Sequence, residues 1–491
     1  MSFVTTTKYI PCLVSLLFMV FVIAGCSPLS DSESKNSKIE TTDEKSSSIN
    51  SEGGNVNISI GEKRKNKGEY DKALEILKLG LASDLKTYGP DDPVVARSRD
   101  NIGSVLFIKG EYDKAIEYFE LALNSYLKFF GPDYPSVATI RSNLGGAWDS
   151  KGKYDKAIEY YELALASDLK TFGPDHPDVA IDRYNLGSAW NSKGKYDKAI
   201  EYYELALASD LKNFGPDHPN VALRRNNLGE AWKNKGEVDK AIEYFELALA
   251  SDLKTFGPDH KDVAIDRNNL GAAWDSKGDY DKAIEYYELA LASALKTLGP
   301  DHPYVAGARN NLGLALFHKG NYDQAIGYYE LALASDLKTF GSDHPKVAID
   351  RNNLGSAWSN KGDCDKALEY YQLALASGLK TLGPDHPQVA AIRNNIGAAW
   401  SSKGDYEKAI EYHELALASD LKTFGPKHSK VAERRICIGL AWDYKGDYDK
   451  AFENFKIALG ILEVSLGSNH LRTLSVRKNL ESAQAKLVAT D

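Results

Sequence analysis

Apolar and polar positions follow a helical spacing along this chain, and the pattern restarts every 42 residues. Glycine keeps the register, at 89, 131, 173, 215, 257, 299, 341, 383, 425 and 467. A fixed period of that size marks stacked units, none of which buries its apolar face alone. The stretch 177–218, PDVAIDRYNLGSAWNSKGKYDKAIEYYELALASDLKNFGPDH, shows how one unit is built. Pro177 suits a first helical turn, where its missing N–H would be unpaired anyway. The pattern predicts a helix to about Lys193, a stop at Gly194, a tight turn over Lys195-Tyr196-Asp197, and a second helix to about Phe214, stopped by Gly215. No strand pattern interrupts the repeats.

Within the unit, Leu186 and Trp190 lie four apart on one helical face, and Ala199, Tyr203 and Ala206 line the facing one. The small Gly187 and the alanines are expected where two helix backbones come close. The spacing Arg183-x2-Leu186-Gly187-x2-Trp190, then Ala199-x3-Tyr203-x2-Ala206, resembles the tetratricopeptide repeat. It departs at Leu211, where that family usually has proline, so the second helix runs on and the unit is longer. The GPDHPxVA…NNLG…GxYDKAIEYYELAL phrasing is similar to the kinesin-light-chain subclass and covers about 56–470. The resemblance implies an all-α, right-handed superhelical solenoid of antiparallel helix pairs with a concave groove that takes peptides. Nine full units (93–470) follow a degenerate first one, in which Lys63 and Arg64 stand where later units have Ala and Trp. Residues 471–491 read as a capping helix, since the ends of a solenoid need a polar outer face.

Placed at 100° per residue, RNNLGSAW at 351–358 divides in two. Val347, Arg351, Leu354, Gly355 and Trp358 share one arc; Asn352, Asn353, Ser356, Ser359 and Asn360 share the other. Stacking the units makes one amide ladder of Asn185, Asn227, Asn269, Asn311, Asn353 and Asn395, and a second of Asn226, Asn268, Asn310, Asn352 and Asn394, with Tyr184 in its series. Amides both donate and accept, so such ladders are able to bind the backbone of an extended peptide whatever its side chains. Ile181, Leu223, Ile265 and Ile349 lie in the same arc and offer apolar contacts. The competing reading is that the amides bond neighbouring helices and hold the stack in register.

Three other series have bland readings beside sharper ones. The arginines at 99 to 477 are expected to lie along apolar surface and pair with glutamates such as Glu201 or Glu204, rather than form an anion stripe. The tryptophans at 148, 190, 232, 274, 358, 400 and 442 are expected to wedge between helices rather than stack sugars; Leu316 breaks their series. The loop histidines, from His176 to His470, are expected at helix starts, because one per unit cannot converge on a metal. The less uniform Leu314, Phe317 and His318 are where binding specificity is expected to enter.

Composition alters the picture only at the front. The net charge of −9 lacks the basic footprint of a nucleic-acid binder. Before the repeats, Lys8, the apolar run Leu13–Ile23 and the small pair Ala24-Gly25 read as an export signal over residues 1–25. Val22-Ile23-Ala24-Gly25-Cys26 resembles the bacterial lipobox, which implies that Cys26 is lipidated and heads the mature chain. Residues 26–55 are Ser-rich and lack aromatics, the composition of a disordered tether. Cys364 and Cys437, 73 residues apart, suit neither a disulfide nor a metal site. No unlike set of nucleophile, base and acid is present, so neither an enzyme nor a cofactor is expected. The sequence reads as a lipid-anchored scaffold in a bacterial envelope, at the outer membrane or cell surface rather than the inner membrane, that binds proteins or peptides. A structural spacer, or self-associating array, and a glycan-binding module are the alternatives.

Overall fold

The computed structural model describes residues 67–490. The export signal, Cys26 and the tether lie outside the described residues. The described chain is helical throughout: α1 (Lys67–Tyr88), α2 (Pro93–Ile108), α3 (Tyr112–Phe130), α4 (Pro135–Ser150), α5 (Tyr154–Phe172), α6 (Pro177–Ser192), α7 (Tyr196–Phe214), α8 (Pro219–Lys235), α9 (Val238–Phe256) and α10 (Lys261–Lys277). Then come α11 (Tyr280–Leu298), α12 (Pro303–His318), α13 (Tyr322–Phe340), α14 (Pro345–Lys361), α15 (Cys364–Thr381), α16 (Pro387–Lys403), α17 (Tyr406–Phe424), α18 (Ser429–Lys445), α19 (Tyr448–Leu466) and α20 (Leu471–Thr490). They group into two compact units, one of residues 67–258 with 265–277, the other of residues 259–264 with 278–490. In each unit consecutive helices pack on one another, as in α6 on α7 and α7 on α8, or α14 on α15 and α15 on α16. The fold is a tetratricopeptide-type solenoid of helix pairs.

The helix ends follow the sequence closely. His176 is the N-cap of α6, and its Nδ1 accepts from the Asp178 N–H at 3.2 Å, with Pro177 in the first turn. The same cap recurs at His218, His302, His344, His386 and His428, so these histidines satisfy helix starts. At the other end, Gly215 has φ of 80° and its N–H bonds the Leu211 carbonyl, a conformation that a side chain would strain.

Packing explains the Leu-Gly pair. A Cβ on Gly187 would sit 2.6 Å from the Tyr203 ring, so glycine is there to receive an aromatic face from the next helix. This refines the expectation of backbone meeting backbone: the intruder is a ring. Leu186 and Ala189 are buried with Ala157, Ile158 and Tyr161 of the preceding pair, and Ala199, Ile200 and Tyr203 with Leu228 and Ala231 of the following one; Trp190 packs against both clusters, so a spine passes from repeat to repeat. Tryptophan contributes from the edge of that spine. Where it is absent, Leu106 and Leu316 take its place, and the adjacent Phe107 and Phe317 stack near Tyr112 and Tyr322, at 5.6 and 5.5 Å. Phe317 is buried, which removes it from any exposed binding face; its role is to fill space that tryptophan fills elsewhere. At the far end, Val476 and Ala483 of α20 pack on Phe455 and Leu462 of α19.

Candidate functional site: the amide-lined face of the first helices

The amide ladders sit on the first helix of each pair, but they do not simply face outward. Asn185, Asn268, Asn353 and Asn395 are buried; Asn226, Asn227, Asn269, Asn310, Asn311, Asn352 and Asn394 are half-buried. A connection rule emerges from their partners. Each second-position amide donates to the first-position residue of the preceding repeat, 43 residues back: Asn269 to Asn226 at 3.2 Å, Asn353 to Asn310 at 3.5 Å and Asn395 to Asn352 at 2.9 Å. Two first-position amides also donate forward to an aspartate of the next repeat, Asn226 to Asp266 at 2.5 Å and Asn310 to Asp350 at 2.6 Å.

Exceptions follow from the residues that interrupt the series. Asn185 would need an acceptor at 142, where a serine stands and gives its hydroxyl to Asp182 at 2.7 Å; the buried Asn185 Nδ2 has no partner. Asn227 would need one at 184, where Tyr184 stands, and it turns back to the Leu223 carbonyl of its own helix at 2.7 Å. Asn394 Oδ1 lies 3.0 Å from Nδ1 of the buried His413. Register-keeping is thus one role these amides perform. An amide in such a chain spends one donor and one acceptor, and the half-buried ones keep the rest of their capacity toward solvent. Beside them Leu223 and Ile265 are exposed.

The arginine series goes elsewhere than expected. Arg183 does not pair with Glu201 or Glu204, which are exposed on the second helix; its Nη1 donates to the Pro174 carbonyl at 2.8 Å, the Leu205 carbonyl at 3.4 Å and Ser209 Oγ at 2.9 Å. Arg309 does the same with Pro300, Leu331 and Ser335. Arg99, Arg141, Arg225, Arg351 and Arg393 likewise clamp the loop before their own helix to the helix after it, whereas Arg435 donates to Asn454 Oδ1 at 3.1 Å and Arg477 does pair with a glutamate, Glu463, at 2.6 Å. Backbone acceptors carry no sequence signature, which is why the glutamates looked like the partners.

Tryptophan faces are occupied. Lys198 Nζ lies 4.0 Å and Lys193 Nζ 5.1 Å from the Trp190 ring centre, and the same two lysines recur at Trp148, Trp232, Trp358, Trp400 and Trp442. Two ammonium groups this close to the ring occupy space that a stacked sugar would need. The lysine at the first of these positions also pairs with an aspartate of the preceding repeat, as Lys193 does with Asp155. Exposed pairs of this kind contribute little individually.

Burial shifts several ionisable groups. Desolvation holds the His413 imidazole down at about 3, with Arg434 adding to the effect. It raises the Cys437 thiol to about 11 and Asp100 and Asp149 to about 6. Among the described residues, no group of three or more His, Cys, Asp or Glu side chains is placed to hold a metal ion, and no helix is long and apolar enough to cross a membrane.

A family model described as tetratricopeptide repeat matches residues 63–128, 99–170, 149–212, 226–296, 275–335, 304–377 and 352–422. No curated protein matches the chain. Among solved structures, the nearly identical TPR-like repeats described for a kinesin light chain of Podosopora anserina are 26% identical over 42% of this chain and 98% of theirs, with a TM-score of 0.39. BtubC from P. vanneervenii is 24% identical over 48% of this chain and 91% of its own, with a TM-score of 0.40. The apo quorum sensor NprR from B. thuringiensis is 12% identical over 74% of this chain and 98% of its own; its TM-score of 0.52 is a likeness of fold alone.

Proposed function

Since the chain belongs to the tetratricopeptide repeat family, whose arrays are protein-interaction scaffolds, we propose that it is a lipid-anchored scaffold of a bacterial envelope that binds extended protein or peptide segments along its first helices. The observation that carries this reading is the half-buried row of amides with exposed Leu223 and Ile265 beside it. Amides with spare donors and acceptors grip a peptide backbone, and apolar side chains between them take alternate residues. Many shallow contacts then add through multivalency. The Cys26 anchor, at the outer membrane or cell surface, belongs to the same proposal and rests on the lipobox pattern and the Ser-rich stretch after it. Among the ladder residues, the half-buried Asn226, Asn227, Asn269, Asn310, Asn311, Asn352 and Asn394 are the ones assigned to the partner. The buried Asn185, Asn268, Asn353 and Asn395 are assigned to register.

The test is capture from an envelope extract with the chain lacking its first 51 residues. Its companion carries Leu223→Ser, Ile265→Ser and Asn227→Ala, positions that bind no other repeat. A partner retained by the first and lost by the second, with helicity unchanged, supports the groove. Equal capture by both assigns this face to architecture. A spacer is the second reading, favoured by how many polar groups are already spent on neighbouring repeats. Glycan binding loses ground to the lysines over the tryptophan rings.

A further inference from the structure

One pair of positions, 14 residues apart, connects each second helix to the first helix of the next pair, and its chemistry changes from joint to joint. At one joint Asp210 accepts from Arg224 Nε at 3.0 Å, and at another Asp420 accepts from Arg434 Nε at 2.9 Å, with all four side chains buried. At 294 and 308 both residues are alanine; at 378 and 392 a glycine faces an isoleucine. Elsewhere the same two positions hold two aspartates: Asp168 with Asp182, and Asp336 with Asp350. Asp252 and Asp266 stand in the same relation along the chain. All six are buried, none more than 7% exposed.

Two carboxylates taken out of water side by side cannot both ionise without a large penalty, so one proton stays with the pair. The surroundings agree. Asp168 and Asp182 are within hydrogen-bonding reach of one another, and Asp182 Oδ1 takes the Ser142 hydroxyl. Asp168 Oδ1 and Asp182 Oδ2 have no other donor. The charged groups facing this pair are Asp178 of α6, which opposes ionisation, and His176 of the preceding loop, which favours it; Tyr161 of α5 is also near. At the other joint Asp350 Oδ1 takes the Asn310 amide and its Oδ2 has no donor, with Lys346 and Arg351 as the facing cations. Burial, ahead of the neighbouring aspartate, pushes the Asp182 and Asp168 carboxyls up and Asp350 to about 7.

We propose that the Asp168–Asp182 and Asp336–Asp350 pairs are proton-operated joints, packed tightly while a pair shares one proton and loosened when both carboxyls ionise. The sign follows from linkage. A carboxyl whose folded-state affinity for the proton exceeds that of the unfolded chain supports the fold in acid, and that support is lost as pH rises through the folded-state value. In the two Asp–Arg joints a guanidinium stands where the shared proton would be, and at Asp420 it works against the upward push of burial. Alkalinisation therefore loosens selected α5–α6 and α13–α14 contacts and leaves the Asp210–Arg224 joint as it was. The array is segmented by pH although its units look alike.

The experiment is amide hydrogen exchange read by mass spectrometry on the chain lacking its first 51 residues, from pH 5 to pH 8.5, with rates scaled for intrinsic exchange. Peptides across 163–188 and 331–356 report the diacid joints. Peptides across 205–230 report the arginine joint, which carries His218 where the others have His176 and His344 and so cancels any histidine effect. Protection at the diacid joints is expected to fall by up to about tenfold per pH unit from pH 5 to about pH 7 and to level off above the folded-state values, and the arginine joint to stay level throughout. Asp182→Asn, whose amide supplies the missing donor permanently, is expected to flatten the profile at 163–188 and leave 331–356 responsive. Equal pH dependence at all three joints in the unaltered chain overturns the proposal. So does an Asp182→Asn variant, folded by circular dichroism, that keeps the wild-type profile. The comparison within the unaltered chain holds even if that variant fails to fold.

Discussion

Two glycines of one repeat test the packing logic most directly. Gly313 lies in α12, and a Cβ there would sit 2.8 Å from Tyr329 Cε1 and 2.9 Å from its Cδ1. Tyr329 is 1% exposed and has nowhere to swing. Gly327 lies in α13, exposed, with nothing within 4 Å of an added Cβ. Alanine at either site gains the same helix propensity, about 1 kcal/mol. Only Gly313→Ala adds overpacking, which costs about 1–3 kcal/mol. Gly327→Ala is therefore expected to stabilise by about 1 kcal/mol, and Gly313→Ala to be neutral or to destabilise by up to about 2 kcal/mol. Their difference isolates the steric cost, because the propensity gain cancels. Urea unfolding gives both midpoints, and hydrogen exchange over α12 and α13 localises the change, since a repeat array opens in parts. Equal stabilisation by the two alanines would refute the idea that the Leu-Gly position exists to seat a ring.

Three further outcomes follow from the same contacts. The buried His413 binds no proton until about pH 3 while the unfolded chain binds one below about 6.5, so stability present at neutral pH is lost as pH falls; at pH 4.5 the loss reaches about 2–3 kcal/mol, and His413→Phe is expected to remove it from denaturant midpoints compared at pH 7 and pH 4.5. Arg309→Ala removes the guanidinium bonds to the Pro300 and Leu331 carbonyls and to Ser335, while the Ser335 hydroxyl still reaches both carbonyls, so it is expected to cost about 1–2 kcal/mol by the same unfolding assay, with hydrogen exchange rising first in the 299–303 loop. At pH 8, iodoacetamide is expected to label Cys364, which lines an open recess of about 680 Å³ with Trp358 and Lys403, well before Cys437, whose buried thiol ionises only near 11; mass spectrometry of the two peptides decides it.

Local chemistry made the architecture readable from sequence. Glycine stops, proline starts and histidine caps act within a few residues, so their spacing carries their meaning, and the 42-residue step shows which units stack. What escaped were contacts whose partners sit in another repeat or on the backbone. The arginine clamps use carbonyls, which every residue has. The amide connections need offsets of 43 and 40 residues, visible only once the helices are stacked, and the same stacking buries Asn353 while leaving Asn352 half-exposed. The tryptophan covers had a signal, lysine at three and at eight residues after each ring, as in Trp190, Lys193 and Lys198. The joint chemistry had one too, since Asp168 and Asp182 vary against Asp210 and Arg224 at a constant spacing of 14.

That spacing makes the order of the units matter. Each joint is written half in one unit and half in the next, so two almost identical units are not exchangeable parts. Swapping residues 219–260 with 303–344 would set Arg224 against Ala294, a buried guanidinium with no carboxylate, and would leave Asp210 beside Ala308. The guanidinium is an uncompensated buried charge that costs several kcal/mol, and the stranded carboxyl keeps a proton but lacks its partner. Duplication lengthens such a chain freely only when a unit is copied next to neighbours that complete its two half-written joints, which gives the array a grammar as well as a vocabulary.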